Sequence, residues 1–263
     1  EELAERKRVQ DSIALVQAQE MEATLISEQI TAQLQTEKNA TTPSEQLAEQ
    51  LAAVYGPFAP ATEGKEGLIT IENSKVRIGI AYRGGRIAKA ELKEYQAYGD
   101  SINPLCLFQG EESSLNFTLV TNTNRILATQ NLYFAEANQT TDAQGNTTLT
   151  MRLNTNIEDC YLDFVYTLPA DDYMVSMSIQ PHNMQLALAQ NMSSIEMQWN
   201  QSIPQQEKGR KFEERYAQLQ YMFVGSDIEK LSEAKADRKQ ESARIKWIGY
   251  KDQFFSTVMI AND

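Results

Sequence analysis

From Leu68 onward, apolar and polar residues alternate with a period of two. Val76, Ile78, Ile80 and Tyr82 are interleaved with Lys75, Arg77, Gly79 and Ala81, and Ala88, Ala90 and Leu92 with Lys89, Glu91 and Lys93. The same rhythm returns at Leu115/Phe117/Leu119, Leu149/Met151/Leu153 and Leu162/Phe164/Tyr166/Leu168, then at Tyr173/Val175/Met177/Ile179, Ile195/Met197/Trp199 and Ala217/Leu219/Tyr221/Phe223. Alternation of this kind predicts half-buried strands. Asn73-Ser74, Gln144-Gly145-Asn146 and Ala170-Asp171-Asp172 supply turns between neighbouring runs. So many one-faced strands in succession predict stacked sheets that bury their apolar faces together. Helix-strand alternation is missing from the pattern, which disfavours a doubly wound parallel sheet. The expected fold is all-β, a large antiparallel β-sandwich.

The last twenty residues read as two strands around a polar turn: Ile245 and Trp247 alternate with Arg244 and Lys246, and Phe254 to Ile260 form a second apolar run after Lys251-Asp252-Gln253. Two charged stretches interrupt the strands. Residues 203–213 suggest a loop or one helical turn, and residues 226–241 a surface helix or a mobile loop.

Residues 1 to 40 follow a different rule. They hold no Gly or Pro and are rich in Glu, Gln, Ala and Leu, which favours helix. Val9, Val16, Ala23 and Ile30 recur every seven residues, but their partner row of Ile13, Glu20, Ser27 and Leu34 is half polar, a poor coiled-coil seam. A solvated helical spacer is therefore expected. A second, short helix is expected where Ser44 can cap a face of Leu47, Leu51 and Val54, ending at Gly56-Pro57. The predicted organisation is a helical spacer over 1–67 and a sandwich domain over 68–263.

The chain has 263 residues and a net charge of −12 without clustered basic residues, so it would repel a phosphate backbone; nucleic-acid binding is disfavoured. No run reaches the ~18 apolar residues of a spanning helix. The chain begins with Glu1 and shows no signal peptide, so a fragment or processed form is expected. Cys106 and Cys160 lack the spacing of a metal or redox site; two separate thiols are favoured over a bridge.

Candidate chemistry is sparse. The single histidine, His182, follows Pro181 and reads as a turn residue rather than a base or ligand. Carboxylate pairs at Glu111-Glu112, Glu158-Asp159, Asp171-Asp172 and Glu213-Glu214 read as turn and surface groups. Gly84-Gly85 lacks the lysine and following helix of a phosphate loop, and a turn needing positive φ explains it. The methionines at 174, 177, 184, 192 and 197 read first as core filler, with flexible contacts to varied clients as a second use. No catalytic, cofactor-binding or metal residue is assigned, and no cofactor is expected.

Two stretches carry a resemblance. Trp247-Ile248 with Gln253-Phe254-Phe255, and Leu68 to Tyr95 with its Gly84-Gly85 turn and Leu92-Lys-Glu-Tyr95, are similar to motifs of the large periplasmic domain of the YidC/Oxa1/Alb3 membrane protein insertase family. The middle strands, 115 to 200, match in rhythm alone. The resemblance implies a β-supersandwich like that of galactose mutarotase, with a short helical segment near its C-terminus. It also implies a place on the periplasmic side of the bacterial inner membrane, in a multi-pass parent. The implied role is non-catalytic: assisting insertion and folding of inner-membrane proteins through an interaction or chaperone-like surface. The implied partners are the Sec components SecD and SecF and nascent membrane proteins, with the membrane reached through segments outside this chain. The alternative is a carbohydrate-binding or aldose-epimerase-like module, with Trp199, Trp247 and tyrosines stacking on a sugar. An epimerase of that fold would use two histidines and a glutamate, and this chain has one histidine.

Overall fold

A computed structural model of the chain describes residues 45–262 apart from 101, 193, 226 and 233–237. The spacer expected over residues 1–40 lies outside the described residues. Helix α1 (Glu45–Tyr55) runs directly into a 3-10 helix, Gly56–Thr62. Gly56-Pro57 ends the α-helical pattern, because proline supplies no N–H for the next turn. Tyr55, Phe58 and Ala61 are nevertheless buried in the main core, and Leu51 and Val54 pack against it. The core therefore takes in side chains from upstream of Leu68.

The strands form four antiparallel sheets. Sheet I orders β1 (Leu68–Glu72), β2 (Val76–Ala81), β3 (Ile87–Leu92) and β4 (Leu105–Gln109) as a meander. Sheet II orders β10 (Ser176–His182), β9 (Tyr161–Leu168), β8 (Thr147–Asn154) and β7 (Ala135–Thr141). Sheet III places β5 (Ser113–Val120) between β11 (Glu196–Gln201) and β6 (Ile126–Ala128). Sheet IV, the terminal sheet, orders β13 (Ile228–Ser232), β12 (Gln218–Phe223), β14 (Ile245–Lys251) and β15 (Ser256–Ile260). The expected sandwich is present, its strands divided among four hydrogen-bonded sheets.

Sheets I, II and III share one core. Ile78 and Ile80 of sheet I meet Leu149, Met151, Phe164 and Tyr166 of sheet II and Phe117 and Leu119 of sheet III. Phe117 and Phe164 touch edge-to-face at 5.3 Å, which sets sheet III against sheet II. Each buried aromatic of this kind contributes roughly 1.5–3 kcal/mol. The Gly84-Gly85 turn has the expected positive φ at both residues. At Gly85 a second constraint applies: an added Cβ would lie 2.9 Å from the Phe134 ring. The buried hydroxyl of Tyr166 donates to the Gly85 carbonyl at 2.5 Å.

At the end of sheets I and II, the Asn73 side chain clamps two turns together. Its Oδ1 accepts the N–H groups of Lys75 and Val76 in its own turn, and its Nδ2 donates to the carbonyls of Pro169 and Asp172, both at 2.7 Å.

The terminal sheet joins this body through its inner face, where Met259 packs against the core and Trp199 meets Tyr250. One expectation is overturned here. Among the described residues of the stretch expected as a helix or mobile loop, Ile228–Ser232 form β13, paired with β12 from Gln218↔Ser232 to Met222↔Ile228. The charged residues of the segment hid a short strand, whose pairing comes from its neighbour rather than from its own alternation. Strands β4, β6 and β7 were also unforeseen. In β7 every residue is exposed, so nothing apolar marks it.

Candidate interaction site

A cleft of about 530 Å³ opens where the chain leaves sheet III and passes over the inner face of the terminal sheet. Its floor is apolar: Leu219 and Leu231, a cross-strand pair of β12 and β13, lie beside Tyr250 of β14. Ile203 and Pro204 form the opposite wall. Pro204 has no N–H to extend the β11 ladder, and the chain turns away there.

Buried polar groups hold that wall in place. The short helix α2 (Arg210–Glu213) starts after Gly209, whose φ of +92° suits glycine. It delivers Glu213, only 5% exposed, into the loop, where its Oε1 accepts the N–H groups of Gln206 at 2.7 Å and Glu207 at 3.3 Å. Gln206 in turn donates its side-chain amide to the Cys106 carbonyl on β4 at 2.7 Å. At the far side, buried Asp252 closes the β14–β15 turn by accepting the N–H groups of Phe254 and Phe255. At the rim, Arg210 pairs with Glu214 at 2.5 Å.

One acceptor in this lining is unused. The Nε2 of Gln201 donates to the Ser202 carbonyl at 2.8 Å, while its Oε1 is buried and without a hydrogen-bond partner among the described residues. Leaving such an atom unpaired costs about 1–3 kcal/mol. The cleft thus combines an apolar floor, an unpaired acceptor in its lining and a charged rim. A smaller hollow of about 330 Å³ lies between Glu63-Gly64-Lys65 and Tyr133, where Lys65 donates to the Tyr82 hydroxyl at 3.1 Å.

The titratable residues singled out in the sequence are scattered. His182 ends the edge strand β10, exposed, with its ring edge-on to Tyr161 at 4.5 Å. Beside it Arg152 stacks over Tyr161 at 3.5 Å and pairs with Asp163 through two contacts of 2.8 Å. The carboxylate pairs serve local structure. Glu112 caps the turn at Gln109, Asp159 occupies a positive-φ turn position, and Asp172 accepts the N–H of Met174. Asp171 pairs with Lys75, which, with the Ser74 hydroxyl, holds its carboxyl below the ordinary value. Among the described residues no group of three or more His, Cys, Asp or Glu side chains could hold a metal ion.

Both cysteines are free, Cys160 buried and Cys106 half-buried; burial pushes the Cys106 thiol pKa up. Of the methionines, Met184 is in the core, Met177 and Met192 pack against it, and Met174 and Met197 are exposed. Trp199 is half-buried, with Tyr250 set at 86° to its ring at 4.8 Å. Sequence reading missed the cleft because its walls fall in the two stretches taken as charged interruptions. The apolar pair Ile203-Pro204 was the one signal available there.

Fold and site define a large antiparallel β-sandwich domain with a peripheral sheet and an open cleft between them. The family profile described as the YidC periplasmic domain matches residues 68–263, and the chain belongs to that family. It is 44% identical over 266 residues to a membrane protein insertase YidC of Parabacteroides distasonis, covering all of this chain and 40% of that protein. An insertase of Azobacteroides pseudotrichonymphae is also 44% identical, over 80% of this chain and 33% of its own length. One from Bacteroides fragilis is 38% identical over 99% of this chain and 39% of its own. The chain thus spans about two fifths of these relatives. No helix among the described residues is long and apolar enough to cross a membrane.

Proposed function

We propose that this domain works on the periplasmic side of a membrane protein insertase as a non-catalytic docking surface. Its cleft would receive an extended apolar segment of a partner: a nascent membrane protein or a Sec accessory component of the SecD/SecF kind. The observation that carries this reading is the pairing of the Leu219–Leu231–Tyr250 floor with the unpartnered Gln201 Oε1. An extended peptide supplies both complements at once, side chains for the floor and a backbone N–H for the amide oxygen. β15 is an edge strand of the terminal sheet, a second place where an extended segment could pair.

A photo-crosslinking side chain placed at Ile203 or Leu231 in the full-length insertase tests this. Adducts with nascent membrane proteins or Sec components are expected from the cleft, and none from Thr140 on the exposed β7. Silence at both cleft positions, with insertion activity intact, rejects the docking role. Calorimetric titration with glycans tests the carbohydrate alternative, which predicts heat on binding that Leu219→Arg leaves unchanged.

A further inference from the structure

The outer face of the terminal sheet carries an apolar row that the outer face of sheet II lacks. Strand register places Ile228, Met222, Trp247 and Ile260 in one row across all four strands. The next row on the same face is Lys230, Gln220, Gly249 and Val258, followed by Gln218, Lys251 and Ser256. Gly249 fixes which side this is: a Cβ there would lie 3.2 Å from Val258 Cγ2 and 3.7 Å from the Trp247 ring, so indole and isopropyl group flank the bare strand. The opposite face carries Tyr250 and Met259, which pack toward the body.

The row is open to solvent. Ile228 is 58% exposed, Ile260 44% and Val258 38%, and Trp247 is half-buried. By contrast the outer face of sheet II presents Thr148, Thr150, Thr167, Ser176 and Ser178 around a lone Val165. The apolar stripe is bordered by cations in a chain that is otherwise strongly acidic. Lys230 and Lys251 share its face, while the nearby Lys239 pairs with Glu229 at 2.9 Å. The stripe is a line along a sheet surface, without the concavity of a side-chain pocket.

We propose that this outer face rests on the surface of an anionic lipid bilayer. Shallow insertion of Trp247, Ile228, Val258 and Ile260 would bury them at the headgroup boundary, while Lys230 and Lys251 meet lipid phosphates. Two features favour lipid over a protein partner: the cationic border within a net −12 chain, and relatives that are named membrane protein insertases. This contact goes beyond the cleft reading and uses the opposite side of the sheet.

The test uses the full 263-residue chain and vesicles of phosphatidylcholine with or without phosphatidylglycerol. Co-sedimentation with anionic vesicles is expected, weakening with salt, with little on neutral ones. The Ile228→Glu/Ile260→Glu double variant, with an unchanged circular dichroism spectrum, is expected to lower partitioning about tenfold or more. A second measurement leaves the row intact: in Trp199→Phe, bromine-labelled lipid is expected to quench Trp247. No sedimentation, equal sedimentation of the double variant, or an unquenched Trp247 overturns the proposal. So does a concentration-dependent dimer abolished by the double variant, which would assign the row to a second copy. Leu219→Arg in the cleft is expected to leave vesicle binding unchanged, so failure of one site is separable from failure of the other.

Discussion

Tyr250 donates its hydroxyl to the backbone carbonyl of Trp199 at 3.3 Å while its ring stands edge-on to the Trp199 indole at 4.8 Å. Together with the Tyr95–Phe255 contact at 5.4 Å, this pair fastens the terminal sheet to the sandwich. Tyr250→Phe keeps the ring contact and is expected to cost about 0.5–1.5 kcal/mol. Trp199→Ala removes the indole from that ring contact while keeping the backbone acceptor, and is expected to speed hydrogen exchange in residues 245–260 while sparing sheet II. Exchange read by mass spectrometry decides it; uniform acceleration through both sheets would show that the terminal sheet does not open separately.

Deeper in the core, Tyr166→Phe leaves the Gly85 carbonyl without its phenol donor, and a loss of about 1–3 kcal/mol in urea unfolding is expected. Gly85→Ala should cost at least as much, since φ is +62° and the new methyl would press on the Phe134 ring. A neutral Gly85→Ala would mean that the turn and Phe134 relax freely.

Phe58 is fully buried although it lies in the 3-10 helix ahead of the first strand. Phe58→Ala is expected to destabilise the chain by about 3–5 kcal/mol. Deletion of residues 1–62 should melt at a sharply lower temperature than deletion of 1–44, because it also removes the buried Tyr55, Phe58 and Ala61. Equal melting of the two truncations would contradict the packing of this segment.

Much of this was readable because alternation and burial coincide wherever one strand face meets the core. Leu149, Met151 and Leu153 are fully buried where the period of two put them, and Ser74, Gly84, Gly85 and Gly145 fall in the turns they promised. Where a strand has no buried face, as in β7, or borrows its pairing from a partner, as in β13, local sequence carries no sign of it. The cleft was illegible for a related cause: Gln201, Glu213 and Leu231 are brought together by tertiary packing, and no spacing encodes that meeting. Glu213 reads as a surface charge until the Gln206 and Glu207 amides are seen on it.

Glu91 is the group whose titration should be felt. Burial alone would raise its pKa, but hydrogen bonds and charge from Lys89 and Arg77 outweigh that and hold it below the ordinary 4.5. A depressed carboxyl stabilises the fold above its unfolded pKa and loses that contribution as pH falls through the folded value. Urea midpoints should therefore drop on acidification below about pH 4.5, and Glu91→Gln should flatten part of that drop. An unchanged slope in the variant would remove Glu91 from the account.

The two thiols differ in environment and should differ in rate. Cys160 is buried with its thiol toward the Asn183 carbonyl, and Cys106 is half-buried with a raised pKa. Under native conditions a thiol reagent is expected to modify Cys106 slowly and Cys160 only on unfolding. Prompt labelling of both would show that the core around Met184 opens.

Pro181 sits within β10, the strand on the open side of sheet II. Proline is accommodated in a sheet with its nitrogen toward solvent, so a strand arriving along β10 finds a missing donor near its end. Growth of sheet II by addition of a foreign chain is thereby discouraged, and unwanted polymerisation through that flank with it. The β15 edge of the terminal sheet carries no such stop, so the two flanks differ in their readiness to accept a further strand.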